Sequence, residues 1–223
     1  MPSTVITKKT LSQQVTEQMR AEILQNILPS GSHITIQSIA ERYNTSPLPV
    51  REAFNVLSGE NLIKLVPYKG AVIQPIDRLF FENIYDIMTA LEVLSIDSAI
   101  KNWNPELEAE LIDVNKQISE LKTEKQVRNN YDELNRRFHS LIEQFYNNDQ
   151  AAELLLHYRH LVQLVVSKRS RTLERTREAV KEHAGLIESL SKGSVSASRA
   201  MFLEHAYKAR DASLDAIFGN KGK

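Results

Sequence analysis

The 223-residue chain contains no cysteine. This excludes disulfide bonds, thiolate zinc sites, iron–sulfur clusters and cysteine nucleophiles, and it suits a reducing compartment. Long hydrophobic runs are missing as well: no stretch approaches the ~18 consecutive apolar residues of a membrane span, and the N-terminus lacks the apolar segment of a signal peptide. We therefore expect a cytoplasmic protein without a membrane partner.

Glycine and proline are scarce, with seven of each. Together they make up about 6% of the chain, where roughly 12% is average, so we expect few turns and long helices. Six of the seven prolines lie at or before Pro75 and the last is Pro105. This change in composition predicts two domains, at residues 1–76 and 77–219.

Charge gives no direct sign of a partner, because 28 basic and 28 acidic residues sum to a net charge of zero. A nucleic-acid binder usually carries a basic surface. Any DNA-binding function must therefore follow from the local placement of a few cations.

The first 76 residues contain three short helical patterns followed by two short strand patterns. Apolar residues recur every four positions from Leu11 to Ile27, which predicts the first helix, and residues 36–43 predict the second. Ser46 can cap a third helix with Pro47 at its first position. Residues 63–66 and 71–74 then flank a turn and predict a β-hairpin. This order is the plan of a winged helix-turn-helix domain.

The exposed face of the third helix and the hairpin tip are predicted to contact DNA. Arg51 can donate two hydrogen bonds to guanine O6 and N7, and short hydroxyls can bind phosphate. The predicted contact residues are Thr45, Ser46, Leu48, Arg51, Asn55, Lys69 and Gly70. The alternative is that Arg51 pairs with Glu52 or Glu60 on an inert surface.

The remainder of the chain is predicted to be an all-α bundle. Helical patterns cover residues 81–101, 105–121, 127–147, 151–166, 172–191 and 196–218. The predicted fold class is thus mainly α, with an N-terminal winged helix-turn-helix of three helices plus a small β-hairpin and a C-terminal helical bundle.

Three histidines lie on apolar stripes of these helices, at His139, His183 and His205, and Asn135 lies one turn before His139. Inward imidazoles need partners, because an unsatisfied buried polar group costs about 1–3 kcal/mol. A divalent metal bound by all four residues would satisfy them together. The alternative is that each histidine is hydrogen-bonded within the core.

The N-terminal residues resemble the GntR family of bacterial transcription regulators. Residues 46–57 read SPLPVREAFNVL, residues 60–63 read ENLI and residues 67–72 read PYKGAV, close to the family's Pro-Val-Arg-Glu-Ala core and wing glycine. The resemblance implies operator binding. One small winged helix reads too few base pairs, so we expect a homodimer that reads a palindrome. Pro47 stands where many members carry an arginine, so a second base-reading arginine is not expected here.

The C-terminal residues resemble the FCD ligand-sensing domain of the FadR branch of that family. The matching segments are NRRFH at 135–139, EH at 182–183 and MFLEH at 201–205. The resemblance implies a divalent metal at Asn135, His139, His183 and His205 beside a cavity for a small-molecule effector. Asn135 replaces a common aspartate, and Met88 replaces an arginine that often precedes Leu-Glu by three. We expect Tyr85, Met88 and Tyr158 to line the cavity.

The neutral Asn135 has consequences for both metal and effector. An imidazole-rich site without a carboxylate favours Zn²⁺ or Ni²⁺ over hard cations. The metal keeps its formal charge of two and attracts an anion, so we expect a small carboxylate that modulates operator binding. Two alternatives stay open: a metal-free regulator, and a metalloenzyme fused to a DNA-binding domain. We expect no enzyme, because Glu182 and Glu204 point away from the adjacent histidines and neither obviously enters the cavity.

Overall fold

A computed structural model of the chain describes residues 9–166 and 172–219. The chain divides into two compact units between Phe80 and Phe81, four residues beyond the predicted boundary. Residues 1–8 of the predicted first domain lie outside the described residues.

The first unit contains three helices and a small sheet. The elements are α1 (Leu11–Leu24), β1 (His33–Ile34), α2 (Ile36–Arg42), α3 (Pro47–Gly59), β2 (Ile63–Val66) and β3 (Gly70–Ile73). Thr10 begins α1 and Thr35 begins α2, each with a capping box that satisfies backbone N–H groups of the first turn. The predicted winged helix-turn-helix architecture is confirmed.

The sheet has one strand more than predicted. Its order is β1-β3-β2 with both pairs antiparallel, and Ile63 lies opposite Ile73 while His33 lies opposite Val72. With only two residues, β1 is too short to give an alternating pattern in the sequence. It is defined by its pairing with β3, which lies almost 40 residues further along the chain.

The second unit is helical throughout the described residues. Its elements are α4 (Arg78–Val93), α5 (Ser95–Lys101), α6 (Pro105–Ser119), α7 (Glu124–Glu143), α8 (Asp149–Val165), α9 (Leu173–Ser191) and α10 (Val195–Phe218). None of the described helices is long and apolar enough to cross a bilayer.

The predicted helix over residues 81–101 is two helices, with a break at Leu94. The hydroxyl of Ser95 donates to the carbonyl oxygen of Glu92 at 2.7 Å, and the Leu94 N–H bonds to the Leu91 carbonyl. The break contains neither glycine nor proline, so no local sequence signal marks it.

The core of the second unit lies between α5, α6, α7, α9 and α10. Leu111, Val114 and Ile118 of α6 are fully buried there, as are Phe138 of α7 and Leu190 of α9. These side chains follow the 3.6-residue helical period that the sequence shows. The packed helices hold the inward polar residues of α7, α9 and α10 at fixed positions.

Candidate functional site

The recognition face of the first unit is formed by α3. Val50, Ala53 and Leu57 pack inward and are fully buried, whereas Arg51 and Asn55 are exposed on the opposite face. Leu48 is 65% exposed on that side. The helical period of α3 therefore separates its core residues from residues free to contact DNA.

Arg51 has no ion pair within the described part of the chain, and its two predicted alternative partners are engaged elsewhere. Glu52 accepts a hydrogen bond from the Ser12 hydroxyl. Glu60 binds the guanidinium of Arg20 at 2.8 Å in a pair that is almost fully buried. The guanidinium of Arg51 is therefore available to donate to a nucleic acid.

A groove of about 620 Å³ lies between α3 and the hairpin. Arg51 and Asn55 line it from the helix, and Tyr68, Lys69 and Gly70 line it from the hairpin. Lys69 is exposed at the turn. The groove thus brings four of the seven predicted DNA-contacting residues to one surface.

Two predicted phosphate contacts differ in their exposure. Ser46 is exposed at the N-cap of α3, and its hydroxyl makes no capping bond, since Pro49 at the third helical position has no N–H to donate. The predicted DNA contact of Thr45 is corrected, because its Oγ1 is buried without a hydrogen-bond partner among the described residues. The hydroxyl of Thr45 is not presented to DNA.

The second unit brings three histidines from three helices to one point. His139 of α7, His183 of α9 and His205 of α10 are all buried. Ring centroids are separated by 5.8 Å for His139–His183, 5.3 Å for His139–His205 and 4.7 Å for His183–His205. One nitrogen of each ring lies within 4.8 Å of a nitrogen of the others.

Hydrogen bonds determine which nitrogen of His183 is free. The amide nitrogen of Asn115 donates to the Val180 carbonyl at 3.0 Å, so the amide oxygen faces Nδ1 of His183 at 3.2 Å. That oxygen can only accept, and Nδ1 of His183 is therefore the protonated nitrogen. Nε2 of His183 is left buried without a partner among the described residues.

His205 is oriented by a carboxylate. Its Nδ1 donates to Oε2 of Glu182 at 2.7 Å, and Arg175 donates to both oxygens of the same carboxylate at 2.7 and 3.2 Å. Burial raises the pKa of Glu182, but the hydrogen bonds from His205 and Arg175 outweigh it and lower the pKa to about 2. The side chain of Glu182, whose sequence neighbour is His183, thus reaches across from α9 to α10.

The other histidines are held neutral. Burial lowers the pKa of His139, and the neighbouring His205 imidazole and Arg159 guanidinium lower it further. Burial also lowers the pKa of His183, with His205 and His139 adding to the effect. A neutral imidazole with a free nitrogen is the form that binds metal ions.

The donor atoms fit a metal ion. Asn135 Oδ1, His139 Nδ1 and His183 Nε2 are all buried without a hydrogen-bond partner among the described residues. Asn135 Oδ1 and His183 Nε2 can only accept, so these two atoms cannot satisfy each other. Each of them needs a cation or a donated proton, and imidazole nitrogens with an amide oxygen suit a transition metal.

A cavity of about 510 Å³ opens beside these donors. Asn135, His139 and His205 form part of its wall, together with the predicted Tyr85 and Met88. Tyr158 does not line it, which corrects that prediction. Consecutive helical side chains point about 100° apart, and the neighbouring Arg159 faces the cavity instead.

Arg159 belongs to a polar cluster that the sequence did not indicate. Its guanidinium binds the carboxylates of Glu92 on α4 and Glu143 on α7, with one of the contacts to Glu143 at 2.8 Å. Glu92, Glu143 and His139 also have donor atoms within 4.8 Å of one another. This second group is already bound to a cation, the guanidinium of Arg159.

Together, a recognition helix with Arg51 on its exposed face, a hairpin carrying Lys69 and a helical unit with a polar cavity are the features of a DNA-binding regulator of two parts. Comparisons with known proteins agree. Residues 11–73 match the family described as bacterial regulatory proteins, gntR family, and residues 83–208 match the FCD domain. The chain belongs to the GntR family of DNA-binding transcription regulators and carries an FCD domain.

The chain is also similar to individual known proteins. The chain is 26% identical over 197 residues to an uncharacterized HTH-type transcriptional regulator, YdhC of Bacillus subtilis, covering 86% of each chain. Lar of Listeria monocytogenes has a similar fold, with a TM-score of 0.60, 16% identity and coverage of 92% of this chain and 97% of that one. A GntR family regulator of Pseudomonas syringae gives a TM-score of 0.54 at 20% identity, covering 92% and 85%. The B. subtilis relative is described as a transcriptional regulator, and the two solved structures show the same fold.

Proposed function

We propose that this regulator is a cytoplasmic homodimer whose C-terminal unit binds a divalent transition metal and a small organic anion, and that the anion modulates binding to double-stranded operator DNA. Asn135, His139, His183 and His205 would hold the metal. When bound, the metal supplies a Lewis-acidic point that attracts an anionic ligand.

One observation carries the metal proposal. Asn135 Oδ1 and His183 Nε2, two atoms that can only accept, are buried in one cluster with no donor within the described residues. Leaving a buried polar atom unsatisfied costs about 1–3 kcal/mol. A metal ion removes that cost for both atoms at once.

The charge of the site favours an anionic effector. Three imidazoles and a carboxamide are neutral ligands, so they leave the metal's formal charge of two uncompensated. The adjoining cavity of about 510 Å³ lies within the range of small-molecule sites and also exposes Arg159. A carboxylate complements the positive charge of the metal.

The homodimer follows from the size of the reading surface. One recognition helix contacts only a few base pairs, whereas two, about 34 Å apart, read a palindrome. Effector and operator affect each other only if the effector prefers one arrangement of the dimer, with a typical coupling free energy of about 1–3 kcal/mol.

Elemental analysis and thermal melting test the metal proposal. Protein purified without chelator is expected to hold one Zn²⁺ or Ni²⁺ per chain, and the metal is expected to raise the melting temperature. His205→Ala should abolish both effects. His160→Ala is the matched control because His160 is exposed on α8.

The metal-free alternative rests on the hydrogen bonds that already engage one nitrogen of His183 and one of His205. It predicts no stoichiometric metal and no stabilisation by Zn²⁺ in any of these proteins. Ultracentrifugation of the same samples tests the dimer. Melting of the Zn²⁺-loaded protein with acetate, lactate and succinate tests the anion site.

A further inference from the structure

We propose that Glu182 and Asn115 are positioning residues: they fix His205 and His183 as the Nδ1–H tautomers, so that both rings present an unprotonated Nε2 to the same point. We further propose that Glu182 supplies, through His205, the negative charge that Asn135 does not supply directly. The charge role of Glu182 rests on the proposed metal site, whereas the assignment of the two tautomers does not depend on it.

The tautomer of His205 follows from the ionisation of its partner. The Arg175 guanidinium donates a hydrogen bond to each oxygen of Glu182, at 3.2 and 2.7 Å, the geometry of an arginine paired with a carboxylate. A carboxylate can only accept, so the contact at 2.7 Å requires the proton on Nδ1 of His205. Nε2 of His205 then carries the lone pair.

The tautomer of His183 follows from the orientation of an amide. Asn115 is itself buried, and its amide nitrogen is engaged by the Val180 carbonyl. Its oxygen is thereby directed at Nδ1 of His183. Stacking on Phe138, with 3.9 Å between centroids and 11° between planes, fixes the ring as well.

The two histidines therefore differ in the charge of the residue that is hydrogen-bonded to Nδ1. A neutral amide orients His183, and an ionised carboxylate orients His205. A carboxylate on the far nitrogen makes an imidazole a stronger ligand, and loss of such a partner typically lowers metal affinity by about 10–100-fold. Because Asn135 is neutral, the negative charge that reaches the site through His205 is that of Glu182.

Long-range ¹H–¹⁵N NMR of the metal-free protein tests the tautomers. Above the ordinary pKa range of histidine, both His183 and His205 are expected to show a protonated Nδ1 and an unprotonated Nε2. A protonated Nε2 on either ring in the wild-type protein would overturn the proposal, whether or not the protein binds metal.

Co²⁺ binding tests the role of charge, with affinity and the visible spectrum as readouts. Glu182→Gln keeps an acceptor for Nδ1 and removes the charge, so we expect an unchanged spectral shape with affinity reduced up to about tenfold. Glu182→Leu removes both the acceptor and the charge. Its Co²⁺ affinity should fall by about 10–100-fold, and its visible spectrum should change. Glu188→Gln is the control, because Glu188 is exposed on the same helix and pairs with Lys192.

Equal affinities and spectra for the wild type and Glu182→Gln would contradict the charge part of the proposal. If Glu182→Leu does not fold, the nearly isosteric Glu182→Gln carries the test. If the wild type binds no Co²⁺, the proposed metal site and the charge role fail together, and the NMR experiment still decides the positioning role.

Discussion

Gly70, at the start of β3, lies directly against the backbone of Ile34 in β1. Its φ is +107°, and a β-carbon at this position would overlap the carbonyl oxygen of Ile34. The sequence predicts Gly70 as a DNA-contacting residue of the wing. The structure gives it a separate role, since only glycine allows β1 and β3 to approach this closely.

Gly70→Ala is therefore expected to destabilise the first unit by about 2 kcal/mol or more, because either the strands separate or the backbone moves. Denaturant unfolding measures the change. Gly59→Ala is the matched control: Gly59 ends α3 without a positive φ, and nothing lies within 4 Å of its added β-carbon. Alanine there should be neutral or stabilise by up to about 1 kcal/mol. Equal effects of both changes would contradict the close approach.

Arg51→Ala is expected to remove sequence selectivity from DNA binding. Loss of a bidentate contact to guanine costs about 1–3 kcal/mol of discrimination, while weak binding that depends on salt persists. The measurement compares a duplex selected by the wild-type protein from a random pool with a scrambled duplex. Lys69→Ala, at the hairpin turn, should weaken binding to both duplexes similarly. It should also reduce the slope of log affinity against log salt concentration by about 1. Retained selectivity in Arg51→Ala would show that another residue reads the bases.

The fold was largely predictable because its helices are amphipathic and its caps are local. The helix starts at Thr10, Thr35 and Pro47 each depend on residues only a few positions away in the sequence. The strand β1 and the break at Leu94 were not predictable, since long-range pairing and a side-chain bond to a carbonyl determine them.

The candidate site was predictable only for residues whose polarity conflicts with an apolar stripe, as for His183 and His205. The hydrogen-bond partners of these histidines could not be predicted from the sequence. Asn115 lies 68 residues before His183, and Glu182 acts across to another helix. No sequence pattern distinguishes Arg159 from a surface charge, and only packing shows that it lies between Glu92 and Glu143.

Glu92 is expected to make stability depend on pH. Burial raises its pKa from 4.5 to about 7, against the lowering effect of Arg159. The folded state therefore binds more protons than the unfolded state between these values, and stability falls as pH rises through the window, by about 3 kcal/mol in all.

The comparison with Glu92→Gln isolates this contribution, measured as denaturant unfolding of metal-free protein from pH 4 to 8. His139 and His183, whose pKa values are lowered, contribute with the opposite sign, and they do so in both proteins. The stability of the wild type relative to Glu92→Gln should decrease with rising pH. A difference that does not change with pH would contradict the assignment.

Asn135→Asp is expected to change which metals bind. A carboxylate oxygen favours hard cations, so the affinity for Mn²⁺ should rise by about tenfold or more relative to that for Zn²⁺. The added charge should also weaken binding of a carboxylate probe. Asn129→Asp adds the same charge to an exposed part of the cavity wall, and it should leave the metal preference unchanged. Equal shifts in both variants would show that Asn135 is not a ligand.

The most direct test of the metal proposal is an anomalous-difference map at the zinc edge, from crystals of the full chain grown with Zn²⁺. We predict a single strong peak per chain in the second unit, about 2.0–2.1 Å from Nε2 of His183 and of His205. A map without a peak at the three histidines, with water hydrogen-bonded to His183 Nε2 and Asn135 Oδ1 instead, would contradict the account.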